Sequence, residues 1–496
     1  MNGTSFSSLF LVGAICLLLG GYGLVGAEEQ PNIVVIVADD LGYGDLGVTG
    51  HPEIKTPHLD SLAQNGAIFT NFYAPAQVCS ASRAAMITGR MPHHHGIYSF
   101  LGGSSGSLGH LPKSAITLPQ LLREHGYQTA IIGKWHCSLI QMQRKRAMEG
   151  KHDIPSMHDY GFDYYFCSDD NAKIRNKPEW IRNGENEGVR EGLAANVVGA
   201  EAVHWLTEER DPRKPFIQFV HFYEPHWYVD APVEVTARYL GSSTKNKNEA
   251  IYFAAVTNVD KEVGAIRRTL EQLEIADNTL ILFTSDHGPA RLGDGKRDRN
   301  YGSSTPYRGR KYGLWDGAIH TPGIAHWPAQ IEEGTVIEAP AGSIDWFPTI
   351  CEITGTPIPA ELALDGQSHC SLLRGGSMKR EKPLQWHHYN TNIFTSPNPN
   401  AVMRVGDFVI CGFYDPKTQF SRASWKESHF ERVKSGRLVR FALFNLVDDP
   451  AQENDLAEQS PEQFNTLRAQ LIEAHQTMQS EAMGWKGTQT ISQPDL

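Results

Sequence analysis

The chain has 496 residues, of which 40% are hydrophobic and 20% charged, and 45 Lys and Arg stand against 56 Asp and Glu for a formal charge of -11. This composition suits a large folded core with a smaller companion and excludes a disordered chain. With no long basic run, it also excludes a broad positive surface for nucleic acid, so an anionic substrate has to be held by a few local cations.

Leu9–Leu19 is almost wholly apolar yet too short to cross a bilayer, and Val25-Gly26-Ala27 offers small residues for cleavage. Residues 1–27 therefore read as a signal peptide, and the mature chain is expected to be secreted or periplasmic. Because the segment before Leu9 lacks Lys and Arg, an uncleaved anchor is the other reading. No later run is apolar for long enough to span a membrane. After cleavage six cysteines remain, Cys79, Cys137, Cys167, Cys351, Cys370 and Cys411, with no CxxC pair, which indicates neither a disulfide framework nor a zinc ribbon.

Asn32–Ala38 is a continuous β-branched run of the kind buried on both faces of a parallel sheet, and it ends at Asp39-Asp40. The same design recurs in Phe216–Val220 before His221 and His226, and in Thr279–Ser285 before Asp286-His287. Helical patterns at Leu118–Glu124, Ala194–Glu209 and Asn248–Leu273 alternate with these strands, which predicts a doubly wound α/β sheet with helices on both faces and its site at the strand ends. Gly102–Gly109 reads as a surface loop beside that site. Past residue 375 come a turn-rich stretch Thr395–Asn400, a short strand Asp407–Phe413, a second run Phe441–Leu446 and a helix near Pro461–Gln479. The expected division is residues 1–27, a catalytic domain over 28–375 and a smaller α+β domain over 376–496.

Five segments carry chemistry. The longest is Cys79-Ser80-Ala81-Ser82-Arg83 followed by Thr88-Gly89-Arg90; the others are Asp39-Asp40-Leu41-Gly42-Tyr43-Gly44-Asp45 with Ser285-Asp286-His287-Gly288, Gly133-Lys134-Trp135-His136, and Arg308-Gly309-Arg310-Lys311. Carboxylates suit a hard divalent cation, lysines and arginine suit a bound anion, and histidines such as His136 and His226 suit proton transfer near neutral pH. Asp45 and Asp60 fit turn or cap roles better than metal binding. The triplet His93-His94-His95 reads either as ordinary buried or surface residues or as a metal-binding tract.

The Cys79–Arg90 segment resembles, along its full length, the signature C-x-(P/A)-S-R-x-x-x-x-T-G-R of the type I, formylglycine-dependent sulfatases, arylsulfatase-like members of the alkaline phosphatase-like superfamily. The resemblance implies that superfamily's mixed sheet, and sulfate monoester hydrolysis on a sulfated carbohydrate through a formylglycine hydrate and a covalent sulfo-enzyme intermediate. It further implies that Cys79 is converted to 3-oxoalanine by a formylglycine-generating enzyme or an anaerobic maturase. One Ca2+ would be held by Asp39, Asp40, Asp286, residue 287 and the modified Cys79. His287 stands where many members carry Asn, so coordination and a neighbouring hydrogen-bond role are both open. Arg83, Lys134 and Lys311 are the candidates to hold the sulfate and stabilise charge in the transition state; by the same resemblance both lysines are sulfate ligands, His136 takes a proton from the non-nucleophilic hydroxyl of formylglycine, and His226 contacts the sulfate and protonates the leaving oxygen. In the segment Trp315–Pro322, Asp316, Ala318 and His320 depart from the family's EGG-x-R-x-P element. The other readings are a metallophosphodiesterase or phosphonate hydrolase of the same superfamily and a non-catalytic glycan-binding relative.

Overall fold

The computed structural model describes Met1 and residues 30–483 except 102–108, 141–143, 146–147, 151–153, 169–178, 242–243, 295–298, 389–397 and 416–426. Residues 2–27 of the expected signal peptide, most of Gly102–Gly109 and part of Thr395–Asn400 lie outside the described residues.

Ten strands form one mixed sheet. Their order is Thr335–Ile337, Ala67–Phe69, Gly323–His326, Thr279–Ser285, Asn32–Ala38, Phe216–His221, Gln128–Gly133, Tyr164–Cys167, Glu179–Arg182 and Glu185–Val189. The run from Thr279–Ser285 to Tyr164–Cys167 is parallel, whereas Gly323–His326 and Glu179–Arg182 pair antiparallel toward the two edges. Asn32–Ala38 lies at the centre and is buried at every residue, as its β-branched run predicts.

Alternation along that strand feeds two cores. Val34, Ile36 and Ala38 pack with the helices Pro57–Gln64, Ala194–His204 and Lys247–Gln272. Ile33, Val35 and Val37 face the other way, toward the helices Cys79–Thr88, Leu118–Glu124 and Trp346–Thr354. Thr117 caps the second of these with a reciprocal bond to Gln120, as its sequence allows. The doubly wound α/β expectation is met.

A second sheet of four antiparallel strands, Leu384–His387, Ala401–Val405, Phe408–Tyr414 and Leu438–Asn445, carries the helix Pro461–Glu481 on one face. Its other face shares a core with Tyr73, Met91, Leu314, Trp315 and Ile344, and Trp386 donates its indole N–H to the Ala74 carbonyl at 2.8 Å. Among the described residues no helix is long and apolar enough to cross a membrane, and all six cysteines are free and buried.

Candidate active site

Parallel register brings the strand ends level. Val37 and Gly133 both pair with His221, and Ala38 pairs with Ser285, so the residues that follow, Asp39, Lys134 and Asp286, emerge side by side. Two backbone features complete the approach. Gly133 has φ +100, and a Cβ there would lie 2.0 Å from the His221 carbonyl; Asp40 itself takes φ +67, turning its carboxylate back into the cluster.

Cys79 enters from the opposite side as the first residue of the helix Cys79–Thr88, which follows extended Val78 and ends at left-handed Gly89. Arg83, one turn further on, is 1% exposed. Its Nε donates to Asp286 Oδ2 at 3.0 Å, Nη2 lies 2.9 Å from the same oxygen as an ion pair, and Nη1 donates to the Lys134 carbonyl at 3.0 Å. Lys134 is salt-bridged to Asp39. Lys311 Nζ donates to Asp40 Oδ1 at 2.6 Å and lies 3.7 Å from Cys79 Sγ.

Three carboxylates thus face three fixed cations in a buried space, and the electrostatics follow. Burial pushes the Asp39 carboxyl up, but Lys134, His226 and Arg83 together hold it well below the usual carboxylate range. Burial likewise opposes ionisation of Cys79, and Lys134 and Lys311 overcome it, so the thiol ionises well below its ordinary value. Asp286 goes the other way, raised to about 6 by burial and by Asp39.

The histidines have distinct partners. His287 donates from Nδ1 to the Gly288 carbonyl at 2.9 Å and turns Nε2 toward Asp286 Oδ1 and Asp40 Oδ1, at 3.3 and 3.5 Å. His136 donates from Nε2 to the Leu101 carbonyl at 2.9 Å, and its Nδ1 is buried without a hydrogen-bond partner. His226 donates from Nδ1 to the Trp227 carbonyl at 2.8 Å and aims Nε2 at Asp40 Oδ2, 3.7 Å away. Burial holds His226 down at about 4.

All ten candidates named from sequence therefore converge. Asp39, Cys79, Asp286 and His287 present donor atoms within 4.8 Å of one another, as do Asp39, Asp40 and His226. Asp39 Oδ1 and Asp40 Oδ2 are buried without a hydrogen-bond partner, which is the condition of hard oxygen donors suited to a divalent cation.

The model family "Sulfatase" matches residues 31–356. The chain belongs to the sulfatase family. A second model, "N-sulphoglucosamine sulphohydrolase, C-terminal", matches residues 310–481 of this sulfatase. It is 33% identical over 392 residues to the N-acetylgalactosamine-6-sulfatase of Homo sapiens, covering 75% of this chain and 71% of that protein. To the steryl-sulfatase of Homo sapiens it is 27% identical over 542 residues, covering 90% and 88%. The crystal structure of Ps i-CgsB in complex with k-i-k-neocarrahexaose shares the fold, with a TM-score of 0.74 at 23% identity over 92% of this chain and 94% of that one. The protein is a sulfuric ester hydrolase.

Other motif residues serve elsewhere. Asp45 accepts from Gly42 N, Ser303 N and the Tyr252 hydroxyl, and Asp60 accepts from Val48 N and Thr56 Oγ1, so both tie turns. Asp316 and His320, which depart from the family pattern, bond each other at 2.7 Å, with Tyr73 on Asp316 and the Thr70 carbonyl on His320. Within the His93–His95 triplet, His93 and His94 lie against Glu481 of the last helix, and His94 also against Asp365. Sequence reasoning assigned no role to Ser285 or His221. Ser285 Oγ accepts from Leu41 N and donates to the His287 carbonyl, joining the two carboxylate segments; His221 donates from Nδ1 to the Lys134 carbonyl. Their place at strand ends was the available signal.

Proposed function

We propose that this sulfatase hydrolyses sulfate monoesters on a carbohydrate, with Cys79 matured to formylglycine as its nucleophile and one Ca2+ held by Asp39, Asp40, Asp286, His287 and residue 79. The observation that carries this reading is the position of Cys79 Sγ, 3.7 Å from Lys311 Nζ and inside a cluster of three carboxylates and three cations. The fixed charges balance, so a divalent cation leaves the site net positive and ready for a sulfate monoester anion. Lys134 and Lys311 already neutralise Asp39 and Asp40, which favours one metal over the two of a metallophosphodiesterase. The nitrogen of His287 is a softer donor than the surrounding oxygens, but its Nε2 faces the same carboxylates.

When present, Ca2+ supplies Lewis-acid stabilisation of charge on the sulfate and nucleophile oxygens. The formylglycine hydrate supplies two geminal hydroxyls, one to attack sulfur and one to expel sulfate. The chain's own residues do the rest. Lys134 and Lys311 bind the sulfate oxygens, and Arg83 fixes both Asp286 and the Lys134 backbone in the required positions. His136, whose buried Nδ1 has no other partner, accepts the proton of the non-nucleophilic hydroxyl of residue 79. His226, neutral in the free chain, gains its proton as negative charge arrives beside it and delivers that proton to the leaving oxygen.

The carbohydrate reading is supported by the likeness to an N-acetylgalactosamine-6-sulfatase and by the k-i-k-neocarrahexaose in complex with Ps i-CgsB. In this reading residues 1–27 are removed as a signal peptide, residues 28–375 form the catalytic domain and 376–496 the C-terminal α+β subdomain. The protein is secreted or periplasmic, and its maturation partner is a formylglycine-generating enzyme or an anaerobic maturase.

Cys79→Ala is expected to lower turnover of sulfated sugars by about 10⁴-fold or more, as for loss of a nucleophile. Mass spectrometry of the Cys79 peptide should give the formylglycine mass, and unmodified cysteine alone in active protein defeats the reading. Chelation with EGTA should abolish turnover, with recovery on adding Ca2+.

A further inference from the structure

Trp227 stands out among the large apolar side chains because it is 45% exposed while its loop is otherwise anchored inward: Val229, two residues on, is 1% exposed. The indole lies on the rim of the site. Its centroid is 6.4 Å from that of His226, whose Nε2 is 3.7 Å from Asp40. Tyr228 packs beside it at 4.4 Å.

The loop that presents the ring is tied at several points. Phe222 N donates to the Val37 carbonyl at 2.9 Å, His226 N to the Tyr223 carbonyl at 3.0 Å, and Arg299 Nη1 to the Val229 carbonyl at 3.1 Å. Glu224 accepts from Ala195 N at 2.9 Å. A fixed, half-exposed indole beside the group that protonates the leaving oxygen costs hydration without contributing to the core, and a ligand that covers it recovers that cost.

The geometry points to Trp227 as the stacking platform for the sugar ring that carries the scissile sulfate. This inference rests on the sulfatase reading above and narrows it to a pyranose bound by one face. With sulfate held by Lys134 and Lys311 and the ester oxygen at His226, the next part of the substrate reaches the indole. The C–H groups on one face of a pyranose are weakly positive and apolar, which suits the electron-rich face of indole. Trp227 is a substrate-positioning residue and takes no part in proton transfer.

The test uses matured protein carrying Trp227→Ala or Trp227→Phe. On the monosulfated monosaccharide that the parent hydrolyses fastest, Trp227→Ala should raise KM roughly ten-fold and leave kcat within about two-fold, with Trp227→Phe in between. Hydrolysis of 4-nitrophenyl sulfate should retain its kcat in both variants. In a Cys79→Ala background, calorimetry should show the same roughly ten-fold weakening of sulfated-sugar binding on Trp227→Ala. Unchanged sugar binding, or an equal fall in kcat on both esters, overturns the inference. Failure of the sulfatase reading looks different: the parent hydrolyses neither ester, while sugar binding in the Cys79→Ala protein still depends on Trp227.

Discussion

At the N-terminal end of the helix Cys79–Thr88, Asp39, Asp40 and Asp286 face Arg83, Lys134 and Lys311, whereas beyond its C-terminal end His93, His95, His387 and His475 are buried as neutral rings. Each region places polar groups in the interior, but by a different route. In the first, opposite charges outweigh burial at Asp39 and Lys311, which stay ionised. In the second, burial dominates: it drives His93 and His95 down to about 3 and His475 to about 4, and His387 well below its ordinary value. His94, Arg90 and Asp365 surround this second cluster, and Glu481 closes it from the last helix. A compensated cluster fails when one member is removed. A neutral one fails when it is charged.

The largest effect should follow from breaking the compensation. Asp286→Ala leaves Arg83 buried without its ion-pair partner, with Asp39 Oδ2 only at 3.7 Å. We expect a loss of about 3–5 kcal/mol in urea unfolding together with loss of turnover. An unchanged unfolding midpoint would refute the charge balance.

Acid should act on the other cluster. An unfolded histidine titrates near 6.5, so between about pH 6.5 and 4 the unfolded chain binds protons that folded His475 refuses. The contribution is intact above the unfolded value and declines as pH falls through this window, by about 1.4 kcal/mol per pH unit for one ring. Unfolding curves at successive pH values should therefore give His475→Leu a shallower pH dependence than the parent, by about one proton; parallel curves would show that His475 is not held neutral. The smallest effect belongs to His94, which is partly exposed and touches Arg90 at 2.9 Å and Asp365 at 3.4 Å. His94→Ala should cost less than about 1 kcal/mol in the same assay and leave turnover unchanged.

Long β-branched runs announced the central strands: Asn32–Ala38 and Thr279–Ser285 have the bounds expected of them, and Leu118–Glu124 is the helix its pattern predicts. The edges were less legible. Ala67–Phe69 and Gly323–His326 are too short to express a period, and their antiparallel pairing is decided by neighbours distant in sequence. The helix expected over Ala194–Glu209 turns into a π-helical segment at Trp205–Glu209, a change of hydrogen bonding that apolar spacing does not encode. At the site, residue types were readable from motifs but pairings were not: nothing local to Arg83 says that it grips Asp286, and nothing local to Lys311 says that it reaches Asp40.

Those pairings bridge long stretches of chain. Lys311 and Asp40 are 271 positions apart, and Arg83 and Asp286 are 203 apart. Such contacts carry a large loop-closure cost and form slowly. During synthesis the first strand, the signature helix and Lys134 leave the ribosome while Asp286 and Lys311 are still unmade, so their charges spend that interval in water. The charged cluster therefore cannot close until the strand that ends at Ser285 and the segment bearing Lys311 have joined the first strand.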